Sequence, residues 1–103
     1  MEPLIVRNKI DKLKICVLIP TYNNRKTVER VIDGVLLYTD NVIVINDGST
    51  DTTATILEKY TSISVLTIEK NKGKGNALQI GFRDAISKGY EYAITIDSDG
   101  QHF

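Results

Sequence analysis

A chain of 103 residues with 42% hydrophobic content can bury one core but not two, and its thirteen basic and thirteen acidic residues cancel. That balance excludes a general polyanion binder: no clustered basic stripe exists to track a phosphate backbone, so nucleic acid is not an expected partner. The single cysteine excludes a disulfide framework. No apolar stretch approaches the roughly 20 residues of a membrane span, and Met1 to Lys14 lacks the apolar centre of a signal peptide, so the expected location is cytoplasmic.

Residues 1–13 read as a lead-in arm, loose or a short edge element, ahead of a domain at 14–103. Ile15 to Ile19 is the first strand-like run, with Cys16 as a small buried hydrophobe, and it empties into Pro20-Thr21-Tyr22-Asn23-Asn24. Val28, Val31, Ile32, Val35 and Leu36 then recur at helical spacing. A second strand, Val42 to Ile45, leads into Asn46-Asp47-Gly48-Ser49-Thr50-Asp51. Ala54, Leu57 and Tyr60 form a short helical stripe behind Ser49, Thr50 and Asp51, which can cap it. The third strand is Ser64 to Ile68. Lys70 to Ala77, rich in lysine and glycine, opens a helix whose stripe is Leu78, Gly81, Phe82, Ala85 and Ile86 and which Gly89 ends. Tyr92 to Ile96 is the fourth strand, delivering Asp97-Ser98-Asp99-Gly100-Gln101. All four strands are nearly continuous in apolar character, as parallel strands covered on both faces would be.

This rhythm is that of an α/β, Rossmann-like, mostly parallel sheet with flanking helices. Right-handed crossovers give the order 3-2-1-4, and ligands in such open sheets sit beyond the carboxyl ends of the strands where the winding reverses, here between the first and fourth. Three polar clusters stand at those ends. Pro20 to Asn24, taken alone, is a turn leading into a helix; read functionally, Tyr22 is a stacking face. Asn46 to Asp51 serves equally as a turn and cap, yet Asp47 precedes the capping residues and is left to accept other hydrogen bonds. Asp97, Asp99 and Gln101 alternate along an extended segment and so share one side, offering oxygen ligands that suit Mg²⁺ or Mn²⁺. Lys70 to Ala77 could neutralise a diphosphate, or be a solvated basic loop. It matches neither the phosphate-loop pattern nor a dinucleotide fingerprint. His102 is a lone histidine with no assigned role.

From about Lys14 to Phe103 these segments resemble family-two inverting glycosyltransferases of the GT-A fold. Val17-Leu18-Ile19-Pro20-Thr21-Tyr22-Asn23 is similar to the family's opening strand and turn, and Val44 to Asp51 to its second motif. Asn71 to Leu78 is similar to its third, and Asp97 to His102 to its metal motif in the form common among dolichyl- or polyprenyl-phosphate sugar transferases. The resemblance implies that Pro20, Thr21, Tyr22 and Asn23 lie on the nucleotide side and that Asp47 accepts a hydrogen bond from the base. Lys74 and Gly75 would lie near the ribose-diphosphate, Asp97 and Ser98 would face the nucleotide-sugar, and Asp99, with Asp97 and Gln101, would hold Mg²⁺ or Mn²⁺. The implied partner is a nucleotide-diphosphate sugar. The implied reaction is direct displacement at the anomeric carbon, in which a metal stabilises the departing diphosphate by several kcal/mol.

The family is usually about twice as long or more, with the acceptor site and general base after the metal motif. The chain is therefore expected to be the donor-binding portion of a longer transferase, with no catalytic base of its own before Phe103. Its acceptor, a lipid phosphate, saccharide or protein, is unreadable here. A lipid acceptor would put the full-length protein at the cytoplasmic face of a membrane. Alone, the chain is expected to be inactive, and to self-associate or be marginally stable because its fourth strand offers a largely apolar unpaired edge. Two rivals stand beside this reading. Ile96 to Gly100 also resembles the nucleophile loop of haloacid-dehalogenase-type phosphotransferases, although that loop normally opens its domain; the other rival is a non-catalytic nucleotide-binding module.

Overall fold

The computed structural model describes residues 2–98. Asp99 and Gln101, two of the three expected metal ligands, lie outside the described residues, as does His102. Four parallel strands, β1 (Ile15–Thr21), β2 (Val42–Asp47), β3 (Ser64–Ile68) and β4 (Tyr92–Thr95), form one sheet in the order β3-β2-β1-β4. With α2 and α3 on one face and α4 on the other, this is the order that right-handed crossovers produce. Helices α1 (Pro3–Lys12), α2 (Val28–Leu36), α3 (Thr53–Leu57) and α4 (Lys74–Ser87) flank it.

The period-two geometry of strands divides the core in two. On one face Val17, Ile19, Val42 and Val44 pack with Val28 and Ile32 of α2 and Leu57 of α3. On the other, Cys16, Leu18, Ile43 and Ile45 pack with Ala77 and Ala85 of α4. Gly81 is what lets α4 lie this close, since a Cβ there would stand 2.8 Å from Ile45 Cδ1. The Cys16 thiol is wholly buried, and burial, with the nearby Asp84 carboxylate, raises its pKa above that of an ordinary thiol. It is an inert core residue.

The strands are not equally covered. Only β1 and β2 are enclosed on both faces; β3 alternates between half-buried and exposed positions, and on β4 Tyr92 and Ile94 remain 63% and 49% exposed. Continuous apolar character therefore marks two different situations, enclosed central strands and edges with one bare face. A second difference lies in the lead-in. Residues 3–12 form α1 rather than an arm, although none of them is buried. Polar contacts hold it: the Arg7 guanidinium donates to the Leu36 carbonyl at the end of α2 (2.6 Å) and to Asp40, and Asn41 Nδ2 donates to Asp11. The half-buried positions of α1 mix Val6 and Ile10 with Arg7, which leaves an apolar stripe too narrow to read. The expected end of α4 is present, with Gly89 left-handed (φ 86°), its N–H on the Ile86 carbonyl and that of Tyr90 on the Ala85 carbonyl. No helix among the described residues is long and apolar enough to cross a membrane.

Register brings the loops to one level. Thr21 pairs with Asn46, and Leu18 pairs with Thr95, so Ser98 reaches the height of Thr21 and Asp47 stands one residue beyond.

Candidate functional site

At the reversal between β1 and β4 a cavity of about 240 Å³ opens. Pro20, Thr21, Tyr22 and Asn24 line it from the loop after β1, and Asp47 from the end of β2. Asn71, Lys74 and Ala77 line it from the start of α4, and Asp97 and Ser98 from the end of β4. Of the residues expected at a donor site, seven therefore meet in one cavity.

Asp47 is buried, and its carboxylate is already engaged. Oδ1 accepts the Lys72 N–H (2.9 Å); Oδ2 accepts the Gly73 N–H (2.8 Å) and Asn71 Nδ2 (3.0 Å). Asn71 Nδ2 also reaches the Asp47 carbonyl (3.1 Å). A carboxylate offers about four acceptor positions, so this clamp leaves room for one further donor. The next residue completes it: Gly48 is left-handed (φ 71°), and the backbone at Lys70 and Asn71 passes directly over its Cα. The sequence expectation of an uncommitted Asp47 is thus corrected. Its carboxylate folds the 70–73 loop over the end of β2.

The clamp sets where α4 begins, and Lys74 is its first residue. Lys74 Nζ forms an ion pair with the Asp97 carboxylate across the mouth of the cavity. Both side chains are about half exposed, and a pair of this kind is worth roughly 0–1 kcal/mol. So weak a pair costs little to open, which leaves the lysine available to an anion and the carboxylate to a cation. The amide groups of the first turn of a 14-residue helix add a favourable site for an anion. Gly75 sits in that turn but outside the cavity lining.

Asn23 also stands outside the lining. It is left-handed (φ 51°) and faces the loop after β2, where its Oδ1 accepts the N–H groups of Thr50 (2.7 Å) and Asp51 (3.3 Å) while its own N–H donates to Ser49 Oγ (3.0 Å). Asp51 in turn caps α3 by accepting the Thr53 N–H (2.9 Å). Burial pushes the Asp51 carboxyl up, but hydrogen bonds from Thr53 and from the Arg25 N–H outweigh it and hold the pKa below the usual carboxylate range. Ser98 is buried, and its hydroxyl lies 2.9 Å from the Pro20 carbonyl and 2.8 Å from Asn24 Oδ1.

Among the described residues no three of His, Cys, Asp and Glu gather as a metal cluster. The outward carboxylate of Asp97 is a hard oxygen donor suited to Mg²⁺ or Mn²⁺, as the first member of a set whose other proposed members follow Ser98. Asn24, Asn71 and Thr27 were not singled out by sequence. Each reads as a turn or cap former, and nothing local distinguishes an asparagine that bonds its own turn from one that bonds a loop far along the chain.

Residues 16–103 match the profile of glycosyl transferase family 2. The UDP-N-acetylglucosamine--dolichyl-phosphate N-acetylglucosaminyltransferase of Methanococcus voltae is 35% identical over 89% of this chain and 43% of its own length. Glucosyl-3-phosphoglycerate synthase from Mycobacterium tuberculosis, solved with UDP, superposes with a TM-score of 0.70 at 28% identity over 91% of this chain and 36% of that one. Its complex with Mn²⁺, UDP and glucosyl-3-phosphoglycerate superposes with a TM-score of 0.71 at 26% identity, over 95% of this chain and 38% of that one. The chain thus spans less than half the length of each.

Proposed function

The chain belongs to glycosyl transferase family 2, and from that premise we propose that it is the donor-binding portion of a longer, metal-dependent inverting transferase whose donor is a uridine-diphosphate sugar. The observation that carries this reading is the convergence of Tyr22, Asp47, Lys74 and Asp97 on one cavity at the switch point of the sheet. Tyr22, 44% exposed, offers a face for the base; Asp47 has one acceptor position left for a base N–H. Lys74 and the first turn of α4 receive the diphosphate. Asp97, with Asp99 and Gln101, would hold Mg²⁺ or Mn²⁺, which when bound supplies charge stabilisation for the leaving nucleoside diphosphate. UDP and Mn²⁺ in the solved relative support this choice of ligands, and the dolichyl-phosphate relative supports a lipid-phosphate acceptor. The phosphotransferase alternative, with Asp97 as nucleophile, is disfavoured by position: that loop normally follows the first strand of its domain, whereas Asp97 follows the fourth.

Calorimetry with UDP and with uridine tests the roles separately. Tyr22→Ala is expected to weaken both ligands by roughly tenfold, the scale of one lost base stack. Lys74→Ala is expected to weaken UDP and leave uridine nearly unaffected. Equal losses for both ligands in Lys74→Ala would remove the lysine from the diphosphate.

A further inference from the structure

The loop after β1 and the turn after β4 are joined by side chains more than seventy residues apart. Asn24 Oδ1 is their meeting point: it accepts from the Tyr22 N–H (3.2 Å) and from Thr21 Oγ1 (3.2 Å), and it shares the single Ser98 hydroxyl proton (2.8 Å) with the Pro20 carbonyl (2.9 Å), which lies in the same loop. Thr27 makes the second tie. It occupies the N-cap position of α2, where a threonine hydroxyl normally accepts an N–H of its own helix, yet it makes no such bond. Its Oγ1 donates to the Ser98 carbonyl instead (2.6 Å). Ser98 is therefore held at both its hydroxyl and its carbonyl, and the peptide that carries Asp97 has little freedom to turn. Because the same Asn24 oxygen binds the Tyr22 N–H, the base face and the first carboxylate are set relative to each other.

We propose that Asn24, Thr27 and Ser98 form a latch that positions Asp97 against the Tyr22 loop and thereby couples metal binding to nucleotide binding at the donor site. This rests on the donor-site reading above and goes beyond it in giving Asn24 and Thr27 positioning roles and in assigning the Ser98 hydroxyl to the latch rather than to the sugar. Linkage requires that any cation held partly by Asp97 and partly by the diphosphate strengthen UDP binding, and that UDP strengthen cation binding by the same factor. A loosened Asp97 turn lowers that factor even when each loop remains folded.

The test is calorimetry of UDP, with and without Mn²⁺, and of uridine, on the wild type, Thr27→Val, Thr27→Ser and Ser98→Ala, with unfolding temperatures on the same samples. Thr27→Val keeps the shape and removes the donor. It is expected to cut the Mn²⁺ enhancement of UDP binding roughly tenfold, the scale seen when groups that orient metal ligands are lost. Uridine binding should fall far less, Ser98→Ala should behave alike, and Thr27→Ser should restore the enhancement. If the wild type binds UDP with Mn²⁺ enhancement and both latch variants retain it, or lose uridine and UDP by one common factor, the latch is refuted while the donor site stands. If the wild type binds no UDP, the donor-site reading falls and the latch with it.

Discussion

Gly48→Ala should cost the protein about 3 kcal/mol of stability. Two effects add at this position: a non-glycine residue held left-handed costs about 1–2 kcal/mol, and forcing a methyl into packed space costs about 1–3 kcal/mol. The Cβ would stand 2.6 Å from the Lys70 carbonyl carbon and closer still to the Asn71 nitrogen, both backbone atoms with no rotamer to change. The 70–73 loop would have to lift off β2, opening the Asp47 clamp. Gly34→Ala is the internal control. Gly34 lies within α2 with open space where its Cβ would go, so there alanine should stabilise the helix by about 0.5–1 kcal/mol. Urea unfolding of the two variants checks the pair; a Gly48→Ala midpoint equal to wild type would show that the loop does not rest on this turn.

The second large effect is expected at Asp47→Asn, which changes no volume and reverses the sense of one hydrogen-bonding group. The carboxylate accepts from three N–H donors on two oxygens. An amide brings its own NH₂ against either Lys72 or the Asn71 and Gly73 donors, leaving buried donors unpaired at about 1–3 kcal/mol. Binding should suffer with stability, because the loop that this clamp holds leads directly into Lys74. UDP affinity should fall on the order of tenfold to a hundredfold, the same energy expressed as an equilibrium constant. Asn71→Ala removes one donor and leaves the carboxylate intact, so it should reproduce part of that loss. Full UDP affinity in Asn71→Ala, beside a large loss in Asp47→Asn, would mean that Asp47 acts on the ligand directly and not through the loop.

How legible this was in the sequence depends on which interactions carry each feature. The sheet order was legible because β-branched runs and helical stripes alternate, and right-handed crossovers with one reversal of winding after the third strand lead to it. The cavity followed from that order, since Tyr22, Asp47 and Asp97 close three neighbouring strands. Helix α1 was not legible: Leu4 and Ile5 are 63% and 55% exposed, and the helix is held by Arg7 and Asp11 reaching polar groups near the end of α2. The bare faces of β3 and β4 were hidden for the complementary reason, that Val65, Tyr92 and Ile94 are apolar where the described residues leave them exposed. Within the site, the division of labour among Asn23, Asn24 and Ser98 is a matter of where each side chain turns. Adjacent asparagines in one turn face different loops because only Asn23 is left-handed, a choice that the letters do not encode.

The most direct test of the donor site is an amide-resolved NMR titration of the protein with UDP in the presence of Mg²⁺, which avoids paramagnetic broadening. The account predicts shifts concentrated at Tyr22, Asn24, Gly73, Lys74, Asp97 and Ser98, with the α3–β3 groove near Leu57, Glu58 and Thr67 unmoved. Saturable shifts confined to that groove, or to the apolar hollow between α2 and Ile96, would contradict it.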